Sequence, residues 1–105
     1  MNKQFAENAT VAVTFDLPAA SGATAAALSG NFSDWVPLDM TQQLDGSFII
    51  TVDLQINSRY EFRYLLGYAD GTDHRWENDW AADEYVPNQF GTENSVVTTE
   101  PPPAA

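Results

Sequence analysis

The chain has 105 residues, of which 44% are hydrophobic; that suits one domain with a single core and argues against wholesale disorder. Fifteen acidic residues against four basic ones (Lys3, Arg59, Arg63, Arg75) give a formal net charge of −11, spread along the chain rather than gathered in a tail. Contact with a phosphate backbone needs clustered Lys and Arg, so this balance argues against nucleic acid and anionic membrane as partners and for a neutral or cationic one.

Met1-Asn2-Lys3-Gln4 opens the chain without the apolar stretch of a signal peptide. No run approaches the ~18 apolar residues of a membrane span, so the expectation is a soluble, cytoplasmic chain. Cysteine is absent, which removes disulfides, thiolate metal sites and a cysteine nucleophile. From there the hydrophobic period is two. Val11, Val13 and Phe15 alternate with Ala12, Thr14 and Asp16 as a half-buried strand, which Pro18 ends because proline cannot donate to a ladder. Ala19 to Ala23 reads as a small-residue loop. Thr24 to Ser29 carries three alanines of high helix propensity, but it is too short for a stable helix and stops at Ser29-Gly30, so it reads as a strand.

Asn31 to Pro37 is a loop of turn formers that also holds Phe32 and Trp35. Leu38, Met40 and Gln42 alternate as a short strand. Asp45-Gly46 then predicts a hairpin, since glycine supplies the positive φ of the turn. Phe48, Ile50, Val52 and Leu54 share one face of the next strand. After a turn at Asn57-Ser58, Tyr60, Phe62, Tyr64 and Leu66 face one way, and Arg59, Glu61, Arg63 and Leu65 the other. Asp70-Gly71 predicts a second hairpin turn, with His74 to Trp76 as a short strand. Glu77 to Gln89 reads as an irregular acidic loop, and Ser95 to Thr99 as the last strand. The spacing predicts an all-β fold, an immunoglobulin-like antiparallel β-sandwich of about seven short strands. It occupies residues 1–100 as a single domain, with 101–105 as a Pro-rich tail. The expected core includes Phe15, Phe48, Ile50, Val52, Phe62, Tyr64 and Val96.

Catalysis finds little support. His74 is the only histidine, and no nucleophile-elbow motif accompanies any serine. Paired carboxylates could be drawn from the many acids, but a sandwich of this size rarely adds a deep, dry pocket to its core. The expectation is no enzyme, no catalytic residue and no cofactor. The oxygen-rich Asp70-Gly71-Thr72-Asp73 and Glu77-Asn78-Asp79 do not match an EF-hand loop, and solvated surface charge is favoured over a metal site.

The tryptophans say more. Trp35, Trp76 and Trp80 lie in or beside loops dense with Asn, Asp, Glu and Gly. Trp76, between Arg75 and Glu77, reads as exposed. Trp35 reads equally as packed or exposed, and Trp80, followed by Ala81-Ala82, as packed. Exposed indoles among hydrogen-bonding side chains suit a sugar: the apolar C–H face of a pyranose stacks on the flat, electron-rich ring. Covering about 60–80 Å² of apolar surface is worth roughly 1.5–2 kcal/mol. A neutral sugar also meets no Coulomb penalty from an acidic surface.

Taken in order, Leu28-Ser29-Gly30-Asn31-Phe32-Ser33-Asp34-Trp35, the hairpin Asp45-Gly46-Ser47-Phe48, the strand Tyr60-Glu61-Phe62-Arg63-Tyr64, Asp70-Gly71 before Trp76, and Asn88-Gln89-Phe90-Gly91-Thr92-Glu93-Asn94-Ser95-Val96-Val97 are similar to the signature segments of a known family. From about Val11 to Val97 the chain resembles the family 48 carbohydrate-binding modules, also called isoamylase N-terminal or early-set domains. These are related to the glycogen-binding domain of the AMP-activated kinase β subunit. The resemblance implies non-catalytic binding of α-1,4-glucan, such as glycogen or starch, with a glucan-processing enzyme as a further partner. It implies a stacking role for Trp35 and Trp76, a hydrogen-bonding role for Arg63, a bulky wedge at Phe90 and polar contacts from Thr92 and Asn94. The chain departs from the family in the longer spacing from Asp70-Gly71 to Trp76, and in Phe90 where leucine is frequent. The same fold also serves as a regulatory or protein-interaction domain that binds no sugar, which is the alternative.

Overall fold

A computed structural model describes residues 1–6, 8–68 and 75–101. The expected turn at Asp70-Gly71, the lone His74 and most of the Pro-rich tail lie outside the described residues. Among those described, ten strands occur in chain order: β1 (Asn2–Phe5), β2 (Thr10–Leu17), β3 (Ala25–Gly30), β4 (Leu38–Asp39), β5 (Thr41–Gln42), β6 (Phe48–Gln55), β7 (Arg59–Gly67), β8 (Arg75–Glu77), β9 (Glu84–Pro87) and β10 (Glu93–Thr98). Short 3-10 turns cover Ala19–Ser21 and Asn31–Ser33.

The strands form two antiparallel sheets, one ordered β1-β2-β6-β5 and the other β4-β3-β7-β10-β9, with β8 also paired to β7. The protein is an all-β antiparallel sandwich of immunoglobulin-like build. No helix is long and apolar enough to cross a membrane among the described residues.

Alternation dictates which faces meet. Phe15 pairs with Ile50, Val13 with Val52 and Leu17 with Phe48, so the apolar faces of β2 and β6 coincide. Opposite them, Leu28 pairs with Tyr64 and Ala26 with Leu66, presenting β3 and β7 to the same interior. Phe62 lies at its centre, 4.9 Å from Phe15 and 5.8 Å from Tyr64 in edge-to-face contacts. These rings are fully buried.

Four expectations are corrected in detail. Val96 is buried but is not part of the central cluster; Val97, paired with Tyr60, is. The segment 38–42 is two strands rather than one: β4 pairs with β3 in one sheet and β5 with β6 in the other, and the chain changes sheets at Met40. The acidic stretch 77–89 contains the edge strand β9. Asn2–Phe5, given no structure from its sequence, is an edge strand as well, paired to β2.

Candidate functional site

The outward face of β7 carries Glu61, Arg63 and Leu65, because Phe62, Tyr64 and Leu66 take the inward positions. Two turns and the strand β8 rise around that face and border an open cleft of about 1050 Å³. Trp35, Arg63, Trp76, Phe90, Thr92 and Asn94 all line it, from segments far apart in sequence. Asn31, Glu61, Pro87, Asn88 and Gln89 complete the lining.

Trp35 arrives from the turn after β3. Asp34 and Trp35 both take left-handed backbone conformations, with φ of 52° and 60°. Consecutive non-glycine residues in that region are strained and need external support. Here Trp35 N–H donates to the Gly30 carbonyl at 2.8 Å, and the buried Ser29 hydroxyl donates to the Trp35 carbonyl at 2.7 Å. Phe32 turns inward, 5.8 Å from Phe15, and anchors the loop's other end in the core. The loop thus sends one aromatic in and the other out, where Trp35 is 40% exposed.

Trp76 stands beside Leu65 through the β7–β8 pairing and is 43% exposed. The Arg63 guanidinium lies 5.9 Å from the centre of its indole, within cation–π range. The Arg63 Nε atom is buried with no hydrogen-bond partner among the described residues. The segment after β8 is bolted down. Asn78 donates to the Glu93 carbonyl, Ser95 donates to Asn78, Asp79 N–H donates to Ser95, and the Tyr64 hydroxyl donates to Asp79 at 2.7 Å. Asn78 and Asp79, weighed above as cation ligands, direct their side chains to these bonds. Burial, reinforced by the Asp79 charge, pushes the Tyr64 phenol far above its ordinary pKa, so it stays a donor.

The third wall is the β9–β10 hairpin turn. Gly91 adopts φ 81°, a left-handed conformation that glycine takes without strain. Asn88 organises the turn from within. Its amide oxygen accepts from the Phe90 and Thr92 backbone N–H groups at 2.9 and 3.2 Å, and its amide nitrogen donates to Thr92 Oγ1 and Asn94 Oδ1. Phe90 is thereby held at the tip, 78% exposed.

Every residue nominated from the sequence therefore reaches one cleft. Asn31, Glu61 and Asn88 were not nominated. Glu61 could have been found from strand parity, since it shares the face of Arg63 two residues on. The expectation that Trp80 is packed is corrected: it is 58% exposed and does not line the cleft. The two alanines after it do not cover it. Compared with known proteins, the chain matches no family model and no curated protein.

Proposed function

We propose that the protein is a non-catalytic module that binds an α-1,4-glucan in this cleft. One observation carries the reading: two half-exposed indoles, a guanidinium and an exposed phenyl ring converge on one open face from two strands and two turns, with amide and hydroxyl groups between them. Flat aromatic surface beside fixed donors and acceptors fits the apolar C–H face and the ring hydroxyls of a pyranose. The resemblance to family 48 modules supports the same ligand at the same residues. A nucleophile paired with a base is lacking among the residues that line the cleft, which favours binding over turnover.

Titration calorimetry with maltoheptaose tests the reading. Affinity in the ~10–1000 μM range is expected, because a shallow site must order a flexible sugar. No heat of binding with maltoheptaose or β-cyclodextrin, together with unimpeded migration in a glycogen-containing gel, would reject it in favour of a protein-interaction domain.

A further inference from the structure

Glu61 stands in the cleft two residues before Arg63 on the same strand face, and pairs with no cation among the described residues. Its Oε1 accepts the Asn94 amide N–H at 3.0 Å. A carboxylate can only accept, so the Asn94 nitrogen must face Glu61 and its oxygen must face Asn88, whose nitrogen donates to it at 3.1 Å. From the other end, the backbone N–H groups of Phe90 and Thr92 demand the Asn88 oxygen. Both ends impose the same polarity on the network. That polarity leaves Asn94 with a second N–H to offer, and leaves Glu61 most of the roughly four lone-pair positions of a carboxylate.

We infer that Glu61 is a specificity-determining residue: its carboxylate accepts hydrogen bonds from the hydroxyls of an uncharged sugar and turns away sugars bearing carboxylate or phosphate. The inference rests on the glucan reading above and narrows its ligand to the unmodified polysaccharide. Adjacent sugar hydroxyls need one donor and one acceptor from the protein. Arg63 supplies only donors, and Glu61 supplies the acceptor beside it. The Arg63 guanidinium lies against the Trp76 ring and forms no ion pair with Glu61, so a ligand anion placed at Glu61 meets an unneutralised negative charge in a partly desolvated cleft, where Coulomb repulsion is several times stronger than in water.

The test compares β-cyclodextrin with its per-6-carboxylated derivative, in which every glucose carries a charge. The proteins are wild type, Glu61→Gln and Asp53→Asn. Glutamine keeps an oxygen for Asn94 and removes the charge. Asp53 is exposed on β6 in the other sheet, so its variant changes net charge equally without touching the cleft. At about 0.15 M salt, wild type should prefer the neutral ring by about tenfold or more, Glu61→Gln should narrow that ratio at least about fivefold, and Asp53→Asn should leave it within about twofold. An unchanged ratio in Glu61→Gln, or equal narrowing in Asp53→Asn, overturns the assignment while leaving glucan binding standing. Failure of wild type to bind the neutral ring overturns both. Thermal melts accompany each variant, and Glu61→Ala, read the same way, replaces Glu61→Gln if that variant does not fold.

Discussion

Trp76, which stacks on the sugar in the proposed site, and Arg63, which donates hydrogen bonds to it, are each separable from the fold. The indole is nearly half exposed, so truncating it removes little core contact. Trp76→Ala should lower maltoheptaose affinity about 10- to 30-fold, the equivalent of roughly 1.5–2 kcal/mol of stacked surface. The melting temperature should fall little. Calorimetry and a thermal melt on the same variant decide; retained affinity with a collapsed melt would make Trp76 a packing residue. Arg63→Ala should cost roughly 1–2 kcal/mol of binding through lost charged hydrogen bonds. Gly30 is different in kind. A Cβ there would sit 2.5 Å from the Phe32 ring and 2.7 Å from the Glu61 carbonyl. Gly30→Ala must displace both the ring and the facing backbone of β3 or β7, so it should cost about 1–3 kcal/mol in chemical denaturation. Because the Gly30 carbonyl also holds Trp35, glucan affinity should fall with it. A variant of normal stability would show that the loop yields freely.

Elements were readable from the sequence to the extent that a face was buried. β2, β6 and β7 announce themselves by alternation, since each presents one side to the core. Edge strands carry a weaker demand: neither β1 nor β9 has a fully buried residue, and four residues each are too few to establish an alternation. Adjacent Val96 and Val97 leave parity open, and only the pairing of Val97 with Tyr60 settles which one enters the core. Six residues of the cleft lining were nominated from the sequence and Asn31, Glu61 and Asn88 were not; the scaffold beneath was not readable, because Asn88 acts through the geometry of its own turn and Asp79 through bonds to Tyr64 and Ser95, remote in sequence. The Tyr64–Asp79 bond is the clearest case, linking the central strand to the segment that carries Trp76. Tyr64→Phe keeps the ring and strips the buried Asp79 of that donor, which should cost about 1–3 kcal/mol. Denaturant titration measures it, and a loss below about 0.5 kcal/mol would mean that water replaces the hydroxyl without penalty.

The molecule as a whole joins two sheets under a net charge of −11, with three ion pairs among the described residues to offset it. One of them ties the sheets together: Lys3 on β1 of the smaller sheet reaches Asp83, just before β9 of the larger, at 2.7 Å. Asp83 also accepts the Thr98 N–H of β10 at 2.8 Å. Partial burial raises the Asp83 pKa, but the Lys3 hydrogen bond and the Thr98 N–H outweigh it, leaving the carboxyl below its ordinary value. A depressed folded-state pKa contributes stability that is present above the unfolded value and is lost as pH falls through the folded one. Asp83→Asn keeps an acceptor for Thr98 and deletes the charge. The stability gap between wild type and this variant should therefore be constant from neutrality to about pH 5 and shrink as pH falls below the ordinary carboxylate range and through the lowered folded-state value. Its plateau should be about 0.5–1 kcal/mol, reduced by the solvent that still reaches the pair. Salt acts on the larger imbalance. At about 0.15 M the screening length is about 8 Å, shorter than most distances across the protein, so added salt relieves diffuse self-repulsion more than it weakens one close contact. The wild-type melting temperature at neutral pH should rise with sodium chloride even as the Asp83→Asn gap narrows. A melting temperature that falls with salt would mean that the few specific pairs outweigh the field of the surplus acids.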